Sequence, residues 1–375
     1  MLYHLFELLQ NYDIPGLGLF QYITFRAAGA AITALLISFV FGPKIIKIMK
    51  VKQIGELAKN ELQNVGNHST KAGTPTMGGF IVLASIIIPA LLWAPLNNIF
   101  IQLILFTTVF LGLVGFIDDY LKVIKKKQKG LIGKYKLVGQ ILVGLVVACV
   151  IYFFPNLFYD GFEEVKSLTQ VPFVKNISID FGLLYIPLVI FVMAATSNAV
   201  NLTDGLDGLS IGTVGIATLA ISVIAYVTGN ANFAEYLNII YMPGAGELTV
   251  FTAAMLGAAL GFLWYNSHPA QIFMGDTGSL ALGGAIGCLM ILLKKELLLP
   301  IVGGVFFAET LSVILQVLYF KYTRKKYGEG RRIFKMSPIH HHFEKSGWHE
   351  SKIVIRFYIM AIMLAIISMA SFKIR

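Results

Sequence analysis

Charged residues are scarce in this chain of 375 residues. Asp, Glu, Lys and Arg together make up 13% of the sequence, whereas about a quarter of the residues in an average soluble domain are charged. Hydrophobic residues make up 57% of the chain, and the mean hydropathy is +0.75. This apolar share exceeds that of soluble domains. The composition therefore excludes an ordinary soluble enzyme.

Cysteine is nearly absent, and internal repeats and low-complexity segments are missing. Cys149 and Cys288 each lie within an apolar run, which indicates buried free thiols rather than a disulfide or a metal site. Since no stretch has the composition of a separate soluble domain, we expect residues 1–375 to form a single integral-membrane domain. The N-terminus carries Glu7 and Asp13 and lacks a basic segment. We therefore expect the first membrane helix to serve as its own targeting signal.

Apolar stretches long enough to cross a membrane recur along the whole chain. A spanning helix needs about 20 apolar residues. Runs such as residues 137–154 are apolar on every face, whereas the strands of a membrane β-barrel alternate between apolar and polar residues. The sequence thus predicts an all-α polytopic membrane protein with about ten transmembrane helices. The predicted spans are 23–48, 76–95, 99–121, 135–154, 183–201, 208–228, 248–265, 272–293, 297–320 and 351–372.

The distribution of Lys and Arg between the loops predicts the orientation in the membrane. One set of loops contains basic clusters such as residues 125–127 and 324–326, whereas the alternate set contains Glu235 and Glu247 and few basic residues. Basic loops remain in the cytoplasm, and an even number of spans then places both termini outside. The pair at 294–295 and the terminal Lys373 and Arg375 depart from this rule. Since the net charge of +10 is concentrated beside membrane segments, it indicates anionic lipid rather than nucleic acid as the partner.

Two adjacent carboxylates, Asp118 and Asp119, end the apolar run of residues 103–117. A carboxylate at the centre of a membrane helix costs about 2.5–3.5 kcal/mol, and less near the interface. Two in a row therefore suggest a polar partner such as a metal or a phosphate. The alternative is a helix-end pair in which Asp118 and Lys122 form an ion bridge at i,i+4.

Two further polar segments open or close predicted helices on the same side. The segment KAGTPTMGG, residues 71–79, could expose backbone N–H groups to an anion, or it could be a helix that starts at proline with threonine as its cap. In NAVNLTDGLDG, residues 198–208, the spacing of Asn198, Asn201 and Asp204 places them on one helix face. A short turn rich in Asn and Asp is the alternative.

The last two polar segments are residues 266–279 and PIHHHFE, residues 338–344. Asp276 lies among glycines and hydroxyls that suit Mg²⁺, which takes only one or two protein carboxylates, and Phe273 offers a face for a planar base. N-capping by Asp276 is the alternative. Three consecutive histidines cannot all point one way, which favours separate contacts with phosphate or sugar over a zinc site. The alternative for PIHHHFE is a solvated loop.

Five segments of the chain, KAGTPTMGG, FIDDYLK, NAVNLTDGLDGL, MGDTGS and PIHHHFE, occur in this order. At these segments the chain closely resembles the phospho-N-acetylmuramoyl-pentapeptide transferases, within the wider polyprenyl-phosphate N-acetylhexosamine-1-phosphate transferase superfamily. The resemblance covers nearly the full length. GTPTMGG and PIHHHFE separate this branch from its relatives.

The resemblance implies an enzyme of the bacterial cytoplasmic membrane whose active site faces the cytoplasm. It implies transfer of phospho-MurNAc-pentapeptide from UDP-MurNAc-pentapeptide to undecaprenyl phosphate, giving lipid I and UMP, with Mg²⁺ as cofactor, and it implies a homodimer. The residue matching the metal ligand is Asp276, Phe273 matches a uracil-stacking residue, and Asp118, Asp119, Asp276 and His340 are the expected catalytic residues. The expected substrate-binding residues are Lys71, Thr76, Lys122, Lys134, Asn198, Asn201, Asp204, Asp207, Asn266, Phe273, His341 and His342.

Physical arguments leave two questions of function and mechanism open. A related transferase that uses UDP-GlcNAc would share the Asp pair and Mg²⁺. A transporter would also carry intramembrane charge, but it would show polar groups near the midplane and symmetry between its halves.

Asp118 adds little as a general base, because a phosphate monoester has a second pKa of about 6 and is already mostly dianionic at neutral pH. Orientation of the phosphate or metal is favoured over base catalysis. A covalent aspartyl-phosphate intermediate is the rival mechanism.

Overall fold

The computed structural model describes residues 1–9, 16–51, 73–127, 130–174 and 177–373. Within these ranges the helices are α1 (Leu2–Leu9), α2 (Ile23–Val51), α3 (Gly79–Trp93), α4 (Ile99–Val123), α5 (Gly133–Phe153), α6 (Phe162–Val165), α7 (Tyr185–Thr203), α8 (Leu209–Thr228), α9 (Ala231–Leu237), α10 (Leu248–Asn266), α11 (Gly275–Leu292), α12 (Leu299–Val302), α13 (Gly304–Tyr327), α14 (Ile339–Glu344) and α15 (Glu350–Ala370). Two short antiparallel strands, β1 (Leu168–Gln170) and β2 (Ser178–Asp180), pair in register between Thr169 and Ile179.

The prediction of an all-α polytopic membrane protein is confirmed. Among the described residues, nine helices are long and apolar enough to cross a membrane, and the shorter apolar helix α3 makes a tenth candidate. All predicted spans but one agree with an observed helix to within three residues at both ends. The boundaries could be predicted because the apolar runs end abruptly at glycines, prolines or charges.

The predicted span 297–320 is wrong at both ends, since α13 covers Gly304–Tyr327. Before α13 the chain forms a 3₁₀ turn at Glu296–Leu298 and the short helix α12, and it turns again at Gly303. The apolar character of residues 297–303 thus reflects a buried turn rather than a membrane helix. At the other end, α13 continues past the apolar run into the basic residues 324–326, which favour a helix C-terminus because they complement its dipole.

The helix α11 forms the centre of the bundle. Every residue from 277 to 292 is buried, and the helix packs against α3, α4, α7 and α8. The close approach of these helices depends on glycines at the contacts, where no side chain separates the two backbones. A Cβ placed on Gly115 of α4 would overlap the main-chain carbonyl of Asp276, and one on Gly79 of α3 would overlap the backbone nitrogen of Gly278. Small residues at such contacts let membrane helices pack by van der Waals contact alone.

Lys294 and Lys295, two of the exceptions to the charge rule, are both buried. The Lys294 ammonium donates to the carbonyl oxygen of Lys166 at 2.5 Å and to the Tyr185 hydroxyl at 2.9 Å, and burial lowers the pKa of Lys294 to about 7, against the opposing effect of the Glu296 carboxylate. Glu296 accepts hydrogen bonds from Tyr185 and Thr169. Lys294 therefore belongs to a buried polar cluster that ties the β1–β2 hairpin to the end of α11, and neither buried lysine reports loop orientation.

Candidate active site

The segments 73–79 and 273–275 are joined by backbone hydrogen bonds. Gly78 N donates to the Phe273 carbonyl, Gly79 N to the Met274 carbonyl, and Phe273 N to the Pro75 carbonyl, each at 2.8 Å. The helix begins at Gly79, with no side-chain cap. The interpretation as a helix that starts at proline with a threonine cap is therefore wrong. The N–H groups of Gly78 and Gly79 are used by the backbone, and anion binding by this segment stays a prediction. The pairing brings two of the sequence motifs together, with Thr76 buried beside them.

Asp119 caps the N-terminus of α11 from a neighbouring helix. Its carboxylate accepts hydrogen bonds from Asp276 N at 3.0 Å, from Thr277 N at 2.8 Å and from the Thr277 hydroxyl at 2.6 Å. These are the first backbone N–H groups of α11, which have no partner within the helix. Asp276 is not the N-cap of its own helix, since Met274 holds that position. Asp119 thus fixes the backbone on which Asp276 is mounted.

Asp118 is fully buried and faces two ammonium groups. Its carboxylate lies 2.5 Å from Lys122 Nζ, one turn further along α4, and 3.0 Å from Lys136 Nζ of α5. It also accepts a hydrogen bond from Leu131 N at 2.7 Å. The i,i+4 ion bridge considered from the sequence is therefore present. A buried carboxylate is stable only with such compensation, and here the compensation comes from three donors on three segments.

Asp276 keeps 13% of its side chain exposed, while Asp118 keeps none. The Asp276 carboxylate contacts Lys136, lies 3.4 Å from Lys122 Nζ, and accepts a hydrogen bond from Asn201 at 3.1 Å. Asn201 also donates to the Ser279 hydroxyl at 2.8 Å. Asp276 is thus the carboxylate of this cluster that an incoming ligand reaches most easily.

Asp118, Asp119 and Asp276 each offer a carboxylate oxygen within 4.8 Å of those of the other two. We call these three residues, with Lys122, Lys136 and Asn201, the carboxylate cluster. Its acidic side chains supply the oxygen ligands that hard divalent cations prefer. The ammonium groups of Lys122 and Lys136 lie beside Asp118 and Asp276 and show that these carboxylates attract positive charge. The cluster could therefore bind a divalent metal.

The lysine that α5 contributes to this cluster is Lys136. Lys134, which the sequence suggested, is exposed and contacts none of these carboxylates among the described residues. Two residues along a helix turn the side chain by about 200°, so only one of the pair can face Asp276. Lys71 lies outside the described residues.

A second polar group lies between α8, α10 and α15. The Asp207 carboxylate accepts a hydrogen bond from Ala270 N at 3.1 Å and lies 3.0 Å from His268 Nδ1. Glu350 accepts a hydrogen bond from Asp207 N at 2.7 Å and lies 3.4 Å from the same histidine nitrogen. Asn266 accepts from Gly208 N at 3.1 Å. Asp207 and the Gly208 N–H bound by Asn266 are thus adjacent, and the hydrogen bonds of this group are separate from those of the carboxylate cluster.

The predicted helix face of Asn198, Asn201 and Asp204 serves different partners. Asn198 donates to Gln140 of α5 at 2.8 Å, whereas Asn201 contacts Asp276. Asp204 follows the last residue of α7 and begins the turn toward α8. Phe273 is half-buried, and its backbone holds the segment 75–79.

The three histidines of PIHHHFE have three separate partners. His340 Nδ1 lies 3.1 Å from Glu309, and both side chains are fully buried. His341 Nδ1 lies 2.6 Å from Glu344. His342 Nδ1 accepts a hydrogen bond from Lys335 N at 3.1 Å. The residues form the short helix α14 rather than a solvated loop.

Comparison with known proteins gives two results. The model of Glycosyl transferase family 4 matches residues 101–294. A phospho-N-acetylmuramoyl-pentapeptide-transferase from Chloroherpeton thalassium is 51% identical over the full length of both chains. Proteins of the same name from Flavobacterium psychrophilum and Parabacteroides distasonis are 48% and 45% identical, also over the full length of both chains.

The chain belongs to the phospho-N-acetylmuramoyl-pentapeptide transferase family.

In this member of the transferase family, four residues take part in the polar contacts described above although the sequence does not single them out: Lys136, His268, Glu309 and Glu350. The sequence carries a signal for three of them. Glu309 is an ionisable residue inside a membrane helix, which by itself marks a candidate functional residue. Lys136 lies two residues after Lys134, and His268 lies within the polar segment of residues 266–279. Glu350 has no comparable signal, because its association with Asp207 requires the packing of α15.

Proposed function

We propose that this protein transfers phospho-MurNAc-pentapeptide from UDP-MurNAc-pentapeptide to undecaprenyl phosphate, giving lipid I and UMP. The relatives that carry this transferase name align with the whole chain, which supports the assignment. We further propose that the protein lies in the bacterial cytoplasmic membrane as one catalytic unit, with the carboxylate cluster facing the cytoplasm. The basic end of α13 supports this orientation.

The observation that carries the proposal is the carboxylate cluster itself. Three acidic side chains and two ammonium groups meet where membrane helices end. A water-soluble nucleotide sugar and a membrane-bound phosphate can meet only at such an interface. Phosphoryl transfer depends mainly on positioning and on neutralising charge. The cluster supplies both at one site.

In the proposed reaction a phosphate oxygen of the lipid attacks the β-phosphorus of the nucleotide sugar, and the bond to the bridging oxygen breaks to release UMP. Mg²⁺, held by Asp276 and the neighbouring carboxylates, would neutralise charge on the diphosphate. Lys122 and Lys136 would add positive charge beside the diphosphate. Because Asp118 already accepts contacts from two lysines and a backbone N–H, we assign it to orientation of these groups rather than to nucleophilic attack.

The test is release of UMP by the purified full-length protein in detergent with undecaprenyl phosphate and Mg²⁺. We expect release with UDP-MurNAc-pentapeptide and none with UDP-GlcNAc. The variant D276N should lose activity by about 100-fold or more, keep its thermal stability, and bind Mn²⁺, a paramagnetic substitute for Mg²⁺, more weakly in a direct binding measurement.

Preference for UDP-GlcNAc would replace the proposed substrate with that of the related transferase. Absence of release with either sugar, from a protein that is folded and metal-loaded, would contradict the enzymatic assignment. Normal activity and metal binding in D276N would exclude Asp276 as the metal ligand.

A further inference from the structure

The buried face of α13 is polar over most of its length. From residue 309 onward, the buried residues of this helix are Glu309, Ser312, Gln316 and Thr323, while apolar residues such as Leu318 point outward and are exposed. A helix that faced only lipid and an apolar core would not place polar groups inward, since each costs free energy unless it is hydrogen-bonded. The polar face must therefore have a partner.

That partner is the chain that follows α13. The Thr323 hydroxyl accepts a hydrogen bond from Arg331 N at 2.8 Å. Gln316 accepts from both Ile333 N and Phe334 N at 3.0 Å. The segment 328–338 thus runs back along the helix that it has just left, and its backbone is satisfied by side chains of that helix rather than by a sheet.

Glu309 is the last contact of this series. Its carboxylate accepts a hydrogen bond from His340 N at 3.5 Å and lies 3.1 Å from His340 Nδ1. The positions 309, 316 and 323 are seven residues apart, so they lie on one face at intervals of two turns, and the series extends for about 21 Å along the helix axis. We call these three residues the α13 anchors.

The far side of His340 contacts the turn between α7 and α8. A Cβ placed on Gly205 would overlap His340 Nε2, so the imidazole fills the space beside this glycine. The same turn follows Asn201, which holds Asp276, and includes Asp207. Since His340 is fully buried, it lies between α13 and this turn rather than in contact with solvent.

We propose that Glu309 is a positioning residue that acts through His340: it orients the imidazole, which fixes the turn of residues 204–208 just after Asn201 of the carboxylate cluster. This inference rests on the proposed transferase function for its activity measurements. The Glu309 carboxylate accepts the backbone N–H of His340 and lies 3.1 Å from its Nδ1, so it holds the histidine backbone and attracts the ring toward one position. Gln316 and Thr323 bind the backbone of the segment 328–338 and so hold that segment in the position that places His340 beside Glu309.

A double-mutant cycle tests whether Glu309 acts through His340. The variants are E309Q, H340N and their combination in the full-length protein, with E309D as the conservative replacement. We expect E309Q to lower kcat by about ten- to a hundredfold with little change in KM for the nucleotide sugar. E309D should recover more activity than E309Q. The combination should be no slower than H340N alone.

T310V is the matched control, because the Thr310 hydroxyl donates to Phe306 O of its own helix. It changes a side chain next to Glu309 without touching the anchors, and it should keep full activity. If E309Q does not fold, T323V gives the same comparison: its loss should be seen with His340 present and should vanish in H340N. A combined loss equal to the product of the single losses, or full activity of E309Q, would overturn the inference.

Hydrogen exchange separates this inference from the proposed reaction. The amides of residues 201–208 should exchange faster in both E309Q and H340N than in the unmodified protein, and T310V should leave them unchanged. This result does not depend on substrate. An inactive but folded protein that shows faster exchange would contradict the transferase assignment alone, whereas unchanged exchange in E309Q would contradict the positioning role alone.

Discussion

Asp118 and Asp119 are adjacent in sequence but have different partners. Asp118 faces lysines, whereas Asp119 faces the backbone and hydroxyl groups at the start of α11. Adjacent residues of a helix point about 100° apart, so the two carboxylates contact different elements. The pair thus combines one group beside two lysines with one group that holds the backbone of Asp276.

Asp118→Asn should lose activity to the same extent at about pH 6 and about pH 9, even though the lipid phosphate becomes fully dianionic above its pKa of about 6. The reason is that the Asp118 carboxylate contacts Lys122 and Lys136, so its replacement disturbs the charge balance of the cluster whether or not the lipid phosphate is already dianionic. The measurement is the ratio of mutant to unmodified kcat at saturating Mg²⁺. Recovery of the mutant at alkaline pH would instead indicate a general base.

Lys136→Met should reduce kcat by about 100-fold, because the Lys136 ammonium contacts the Asp276 carboxylate and lies 3.0 Å from Asp118. Lys134→Met is the matched control, since Lys134 is exposed two residues away on the same helix. It should stay within about twofold of the unmodified protein, as is usual for surface substitutions. Equal losses in the two variants would mean that general positive charge, not contact, is what matters.

At the scale of the elements, the contact between α4 and α11 depends on Gly115. Gly115→Ala should separate the two helices, because the new Cβ would overlap the carbonyl of Asp276, and overpacking costs about 1–3 kcal/mol. We expect a lower Tm together with a lower kcat. Gly133→Ala is the control, since it has no atom within 4 Å of the new Cβ. Unchanged activity in Gly115→Ala would show that this contact is adaptable.

The helices could be predicted from apolar length alone, but α13 shows where this reasoning fails. Apolar composition does not distinguish a membrane helix from a buried turn, so the residues before Gly304 were assigned to the wrong element. In the site, sequence could place Asp118, Asp119, Asp276 and Asn201 on one side of the membrane. It could not pair Asp207 with Glu350 or His340 with Glu309, since these contacts join segments far apart in the chain.

For the whole molecule, the basic end of α13 and the short loop after α4 predict one cytoplasmic face. A single cysteine at position 163 should react with a membrane-impermeant reagent in intact cells, and one at position 127 should not. Both residues are exposed. Cys149→Ser provides the background, because Cys288 is buried. Labelling at 127 in sealed cells would reverse the orientation.

The central position of α11 has a consequence for the order in which the protein is made. Its neighbours α3, α4, α7 and α8 all precede it in the chain, so the carboxylate cluster can be completed when synthesis has passed α11. The contacts of Asp207 with Glu350 and of His340 with Glu309 must wait for the C-terminal segments. Crosslinking between α4 and α11 should therefore succeed in ribosome-bound chains that are long enough for α11 to have left the ribosome but that are arrested before α15 is made, and a crosslink that requires α15 would contradict this order. The metal-binding carboxylates would then be assembled early, and the surrounding turn would be fixed in place last.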